Sequence, residues 1–288
     1  MRNGTIEFFR FVFAICIVLC HTSTFYQICG GGAIGVEFFF IVSGFLLCKK
    51  YVDFDKPKIS YRNIMKKKVG HIYVEYATSV MLAFILTQIV FFESYESALH
   101  GFGIYFENLF FMGGILGFPT DAILNLNWWL ITMFIAMMLS LPLLKKASDM
   151  YLYILCPICS LVIYGYLSHA YGGLLVVMEY AFGSDFIYAG WLRALADFCM
   201  GGISFVVYNI LSHMRLSEWK KRILTFLEMF GYIFVVYIGL SSSILRIPNL
   251  GFVAVVLLTL SIAISFSEKS YLYDKLQTNI CFIGGGQV

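Results

Sequence analysis

Residues 8–26, FFRFVFAICIVLCHTSTFY, and residues 33–51, AIGVEFFFIVSGFLLCKKY, decide the fold. Each is an almost unbroken apolar run of 19 residues. As helices they would be about 28 Å long, close to the ~30 Å hydrocarbon thickness of a bilayer. Transmembrane β-strands are about half that length and alternate in polarity, which neither run does. Six further runs have the same character: 72–92, 128–146, 150–168, 190–211, 223–242 and 250–267. The expectation is an all-α, polytopic transmembrane helical bundle of about eight spans.

Composition agrees. Of 288 residues, 60% are hydrophobic and 13% charged, and mean hydropathy is +0.83. Soluble domains have about 25% charged residues, so a soluble enzyme and a disordered chain are both excluded. The first run does not behave as a signal peptide. Arg10 interrupts it, no small-residue cleavage pattern follows, and more spans come next.

Basic residues sort by loop. With the N-terminus in the cytoplasm, the inner side holds Arg2, the block from Lys49 to Lys68, Lys145, Lys146, the cluster from Arg215 to Arg222, Lys269 and Lys275. The outer loops hold only Arg246. This is the positive-inside pattern. Segment 102–118 is apolar, but making it a span would move Lys145 and Lys146 outside. It is therefore expected as an interfacial or re-entrant piece of a long outer loop, 93–127. One membrane domain, 1–267, is expected, followed by a short cytoplasmic tail, 268–288. The tail ends in Gly284-Gly285-Gly286-Gln287-Val288, which is neither a span nor a charged terminus, and suggests truncation.

Chemistry is sought among ionisable groups inside apolar helices, where they are expensive. Arg10 and His21 are eleven residues apart, roughly three turns plus 20°, so they share one helix face about 16 Å apart. His21 and Glu37 are each eight residues from Cys29, the middle of the connecting loop. In a symmetric hairpin they would meet. A carboxylate beside an imidazole fixes its tautomer and raises its basicity, which suits His21 as general base and Glu37 as its orienter. A structural His–Glu pair holding two helices remains the alternative. Arg10 either snorkels to headgroups or contacts an anion such as a phosphate. The basic loop 49–71 is explained by positive-inside bias and anionic lipid, without excluding a grip on polyphosphate. Arg193 and Asp197, four apart, are expected as a structural ion pair. Glu228 has no assigned partner.

Other patterns carry less. Gly30-Gly31-Gly32-Ala33-Ile34-Gly35 fits GxGxxG but follows a membrane helix rather than a strand, so it is a tight helix–helix loop and not a dinucleotide fingerprint. Cys156-Pro-Ile-Cys159 lies mid-span and is assigned to packing. Ser43-Gly44 marks close helix packing. Nothing points to a metal site or to nucleic acid.

Arg10–ten residues–His21, then Gly35-Val36-Glu37-Phe38-Phe39-Phe40-Ile41-Val42-Ser43-Gly44-Phe45-Leu46, together resemble the signatures of the acyltransferase type 3 family of integral membrane proteins. The likeness continues more weakly at Trp129-Leu130 and at Arg193-Ala194-Leu195-Ala196-Asp197-Phe198. The resemblance implies transfer of an acetyl group from cytoplasmic acetyl-CoA to a hydroxyl of a cell-surface or lipid-linked saccharide, in a bacterial cytoplasmic membrane. It implies catalytic roles for His21 and Glu37. It implies donor contacts at Arg10, Ser43, Lys68 and His71. The family's R-x-x-R before the third span is here Lys68-Val69-Gly70-His71, which keeps one charge but loses the bidentate fork. A final span expected by the family is missing, so an inactive, truncated member is one alternative. The other is a glycan or small-molecule transporter, in which the buried charged groups form a relay.

Overall fold

The computed structural model describes residues 3–21, 31–52, 61–91, 94–110, 128–173, 181–182, 188–241 and 250–276. These contain α1 (Gly4–His21), a 3-10 turn (Gly32–Ile34) leading into α2 (Gly35–Val52), α3 (Tyr61–Phe91), α4 (Tyr95–Leu109), α5 (Trp128–Lys146), α6 (Ser148–Tyr171), α7 (Ala189–His213), α8 (Glu218–Gly239) and α9 (Leu250–Ser267). Among the described residues, seven helices are long and apolar enough to cross a membrane: all of these except α4 and α5. The eighth expected span is α5, 19 residues long. All eight expected runs therefore coincide with helices, within about five residues at each end except that α3 begins at Tyr61, eleven residues before the expected start at 72. The reason is that a backbone in hydrocarbon must satisfy its own hydrogen bonds.

Helix α7 is the axis of the bundle, packing on α2, α5, α6 and α9. One apolar cluster fills the space between α7, α2, α5 and α6, with Phe45, Met137, Leu141, Tyr151, Phe198 and Phe205. A second joins α1, α2, α8 and α9 through Phe13, Phe38, Tyr232 and Leu258. In it Phe9 stacks on Tyr232 at 3.7 Å and Phe13 meets Phe38 at 4.8 Å. Large apolar side chains outside these clusters, such as Leu86 and Ile89 on α3, Leu161 and Val162 on α6, and Phe226 and Ile233 on α8, point away from the protein. That is the surface a bilayer solvates.

The α2–α7 crossing sets the site, and two glycines permit it. A Cβ placed on Gly44 would lie 2.5 Å from the Phe198 carbonyl oxygen, and one on Gly201 would lie 2.4 Å from that of Ile41. The backbones thus touch directly, as small-residue interfaces allow. Gly44→Val should force the helices apart and cost about 1–3 kcal/mol. The check is the thermal melting midpoint in detergent, and an unchanged midpoint would refute the contact.

Helix α4 covers part of segment 102–118. It runs antiparallel beside α3: Gly101 lies against Phe84 and Gln88, Phe84 stacks on Tyr105, and the Tyr76 hydroxyl donates to the Asn108 carbonyl at 2.6 Å. It therefore packs lengthwise along α3 instead of lying across it. Residues 111–118 lie outside the described residues. Within α6, a π-helical stretch, Tyr151–Leu155, comes just before Pro157. Proline has no N–H to give and crowds the preceding turn, and a widened turn relieves that crowding.

Basic helix ends gather at one end of the bundle. The Lys49 ammonium at the end of α2 donates to the Tyr208 hydroxyl near the end of α7 at 3.0 Å, and lies over the Tyr208 ring. Tyr51, Lys145 and Lys146 border a common cavity of about 190 Å³ with Leu141 and Pro142. Asn3, just before α1, donates to the Ser265 carbonyl at 2.8 Å, so the start of α1 belongs to this end too.

Candidate active site

Four side chains from three helices converge in the bundle interior, toward the end opposite Lys49. Glu37 is in the first turn of α2, Arg193 and Asp197 are on α7, and Tyr164 is on α6. Glu37 is 1% exposed, Arg193 3% and Asp197 0%. The Arg193 Nε donates to Glu37 Oε1 at 2.5 Å, and its Nη2 donates to the Ala33 carbonyl at 3.2 Å. The Tyr164 hydroxyl donates to Asp197 Oδ1 at 2.6 Å. Buried charge of this kind survives only when paired and hydrogen-bonded. The guanidinium also ties the 3-10 turn ahead of α2 to the central helix.

Arg193 thus pairs with Glu37, 156 positions away, and Asp197 takes Tyr164 as its hydrogen-bond donor. The expected Arg193–Asp197 ion pair is corrected: a shared helix face brings the two near, but α2 inserts a better placed carboxylate.

The expected contact of Glu37 with His21 is also corrected. A Cβ on Gly32 would meet Cys16 and Cys20, one on Gly35 would meet Phe13 and Ile17, and the Phe13 and Phe38 rings are in contact. Residue i on α1 therefore faces about residue 50 − i on α2, so Glu37 lies level with Phe13. His21 is eight residues further along α1, about 12 Å along the axis. The pairing centres the hairpin near residue 25 and not at Cys29; residues 22–30 lie outside the described residues. Glu37 Oε1 is held by Arg193, and Oε2 has no hydrogen-bond partner among the described residues.

His21 is the last residue of α1 and its side chain is exposed. Arg10 is on the same helix, and its Nη1 donates to Glu7 Oε1 at 2.7 Å, with the two side chains 36% and 37% exposed. Glu7, Arg10, Ala14, Val18 and His21 form one stripe at helical spacing, opposite the buried Phe9, Phe13, Cys16 and Cys20. Arg10 and His21 thus share one unburied face. The Glu7 partner was open to detection in the sequence as an i, i+3 pair.

Ser43 is half-buried in α2 and donates to the Met133 sulfur on α5 at 3.7 Å. Lys68 and His71 fall within α3, but their side chains lie outside the described residues, as does the loop at 53–60. Glu228, unassigned in the sequence, is wholly buried and accepts a hydrogen bond from Ser265 at 2.5 Å. The Tyr232 hydroxyl is 2.9 Å from the same Ser265 oxygen. This second polar cluster lies beside Asn3, at the basic end of the bundle. No periodicity in α8 announces it, because Ser265 comes 37 residues later.

The fold and its buried charges define a polytopic integral membrane protein with charged groups buried in an apolar interior. A family model described as an acyltransferase domain matches residues 3–271, and the chain belongs to that family, the acyltransferase type 3 proteins. No curated protein and no solved structure matches the chain. The protein is accordingly a membrane acyltransferase.

Proposed function

We propose that the protein moves an acetyl group from cytoplasmic acetyl-CoA to a hydroxyl of a cell-surface or lipid-linked saccharide. The supporting observation is the stripe on α1, where Arg10 near one end and His21 at the other share one unburied face. The N-terminus is on the cytoplasmic side, in a bacterial cytoplasmic membrane. Arg10 contacts a donor phosphate, and His21 is near the reacting thioester about 16 Å away. Ser43, Lys68 and His71 contribute to holding the donor.

The reaction exchanges one acyl bond for another. The thioester C–S bond breaks, an ester C–O bond forms, and the acceptor's hydroxyl proton ends on the coenzyme A thiol. His21 takes that proton as general base, or first carries the acetyl group itself. Glu37 supports this chemistry only at a distance, through the Arg193 contact to Ala33 beneath the outer end of α1.

The test expresses the chain in bacteria together with the native host's surface glycan and weighs the glycan by mass spectrometry. An acetyl increment that depends on acetyl-CoA is expected. A glycan that crosses the membrane with unchanged mass would instead indicate a transporter. Arg10→Ala should raise the apparent KM for acetyl-CoA more than that for the acceptor. An unchanged donor KM would assign Arg10 to the headgroups.

A further inference from the structure

The bonds to Arg193 and Tyr164 leave two oxygens over. Glu37 Oε2 and Asp197 Oδ2 are both buried and neither has a hydrogen-bond partner among the described residues. Glu37 is bonded to Arg193, and Asp197 is one helical turn from Arg193 on the same helix, so the two carboxyl groups flank one guanidinium. Two carboxylates have no proton to donate, so side by side they repel unless a proton lies between them. Charge leads to the same place. Arg193 contributes one positive charge, and two ionised carboxylates would leave a net negative charge in a site that is at most 3% exposed. Tyr164 adds only a neutral hydroxyl, which it donates to the other oxygen of Asp197. A net charge buried at this depth of a membrane protein is costly.

We infer that Glu37 and Asp197 hold one proton between Oε2 and Oδ2, making the cluster with Arg193 a neutral unit with every inward-facing oxygen satisfied. Asp197 is then a positioning residue. It completes the coordination of Glu37, which holds Arg193, which holds the Ala33 carbonyl where the chain enters α2. The inference does not rest on the transfer reaction, and its test needs no substrate.

Infrared difference spectra of the purified full chain at neutral pH read the proton directly. The parent should show one protonated-carboxyl C=O band that disappears in both Asp197→Asn and Glu37→Gln. Glu228 is unchanged in every sample, so its contribution cancels. In each single variant the new amide N–H donates to the remaining carboxylate, which still neutralises Arg193. Each should therefore melt near the parent temperature. The double variant Glu37→Gln/Asp197→Asn leaves the guanidinium without a counter-charge, and its midpoint should fall by roughly 5 °C or more. No lost band in either single variant would overturn the inference. So would single variants as unstable as the double.

Discussion

Replacing Arg193 by alanine is expected to destabilise the protein by about 3–5 kcal/mol, the usual cost of removing one partner of a buried pair. Arg193 is 3% exposed and its Nε donates at 2.5 Å to a carboxylate that is 1% exposed. Without it, Glu37 must remain ionised with no counter-charge or take up a proton, and the Ala33 carbonyl loses its donor. Arg193→Lys should recover only part of the loss. A single ammonium cannot hold a carboxylate and a carbonyl through a planar fork. The double variant Arg193→Leu/Glu37→Leu should be more stable than Arg193→Ala alone, because no unpaired charge remains. Thermal melting in detergent and the yield of folded protein from membranes measure all three. A midpoint for Arg193→Ala within error of the parent would show that the cluster does not hold this end of the bundle.

The largest effect on activity is expected at His21. Its side chain is exposed at the end of α1, so His21→Ala should insert and melt like the parent. Acetyl transfer should fall by about 10²–10⁴-fold if the imidazole is the general base, and to background if it carries the acetyl group. Initial rates of acetyl incorporation, measured beside the melting midpoint, separate a chemical loss from a folding loss. Transfer at the parent rate would remove His21 from the reaction. Glu37→Gln should have a smaller effect on the rate than His21→Ala, because Glu37 lies about 12 Å deeper and acts through Arg193.

The spans were legible because the requirement they meet is local. A run of about 19 apolar residues in lipid has few choices besides a helix that bonds its own backbone. The helix face shared by Arg10 and His21 followed from 3.6-residue periodicity. The partners of Glu37, Arg193 and Asp197 did not follow. Counting equal distances from Cys29 assumed a symmetric turn, and a shift of two helical turns is invisible to hydropathy.

What the sequence by itself determined is an integral membrane bundle, its helices, its family and the residues on each helix face. These depend on composition and on spacing within one segment. Only the tertiary structure decided that Glu37 belongs to Arg193 and not to His21, that Tyr164 serves Asp197, and that Ser265 serves Glu228. Those pairings depend on how deep each helix sits against its neighbours. Depth is set by close backbone contacts such as Gly44 on Phe198 and Gly201 on Ile41, between segments more than 150 residues apart.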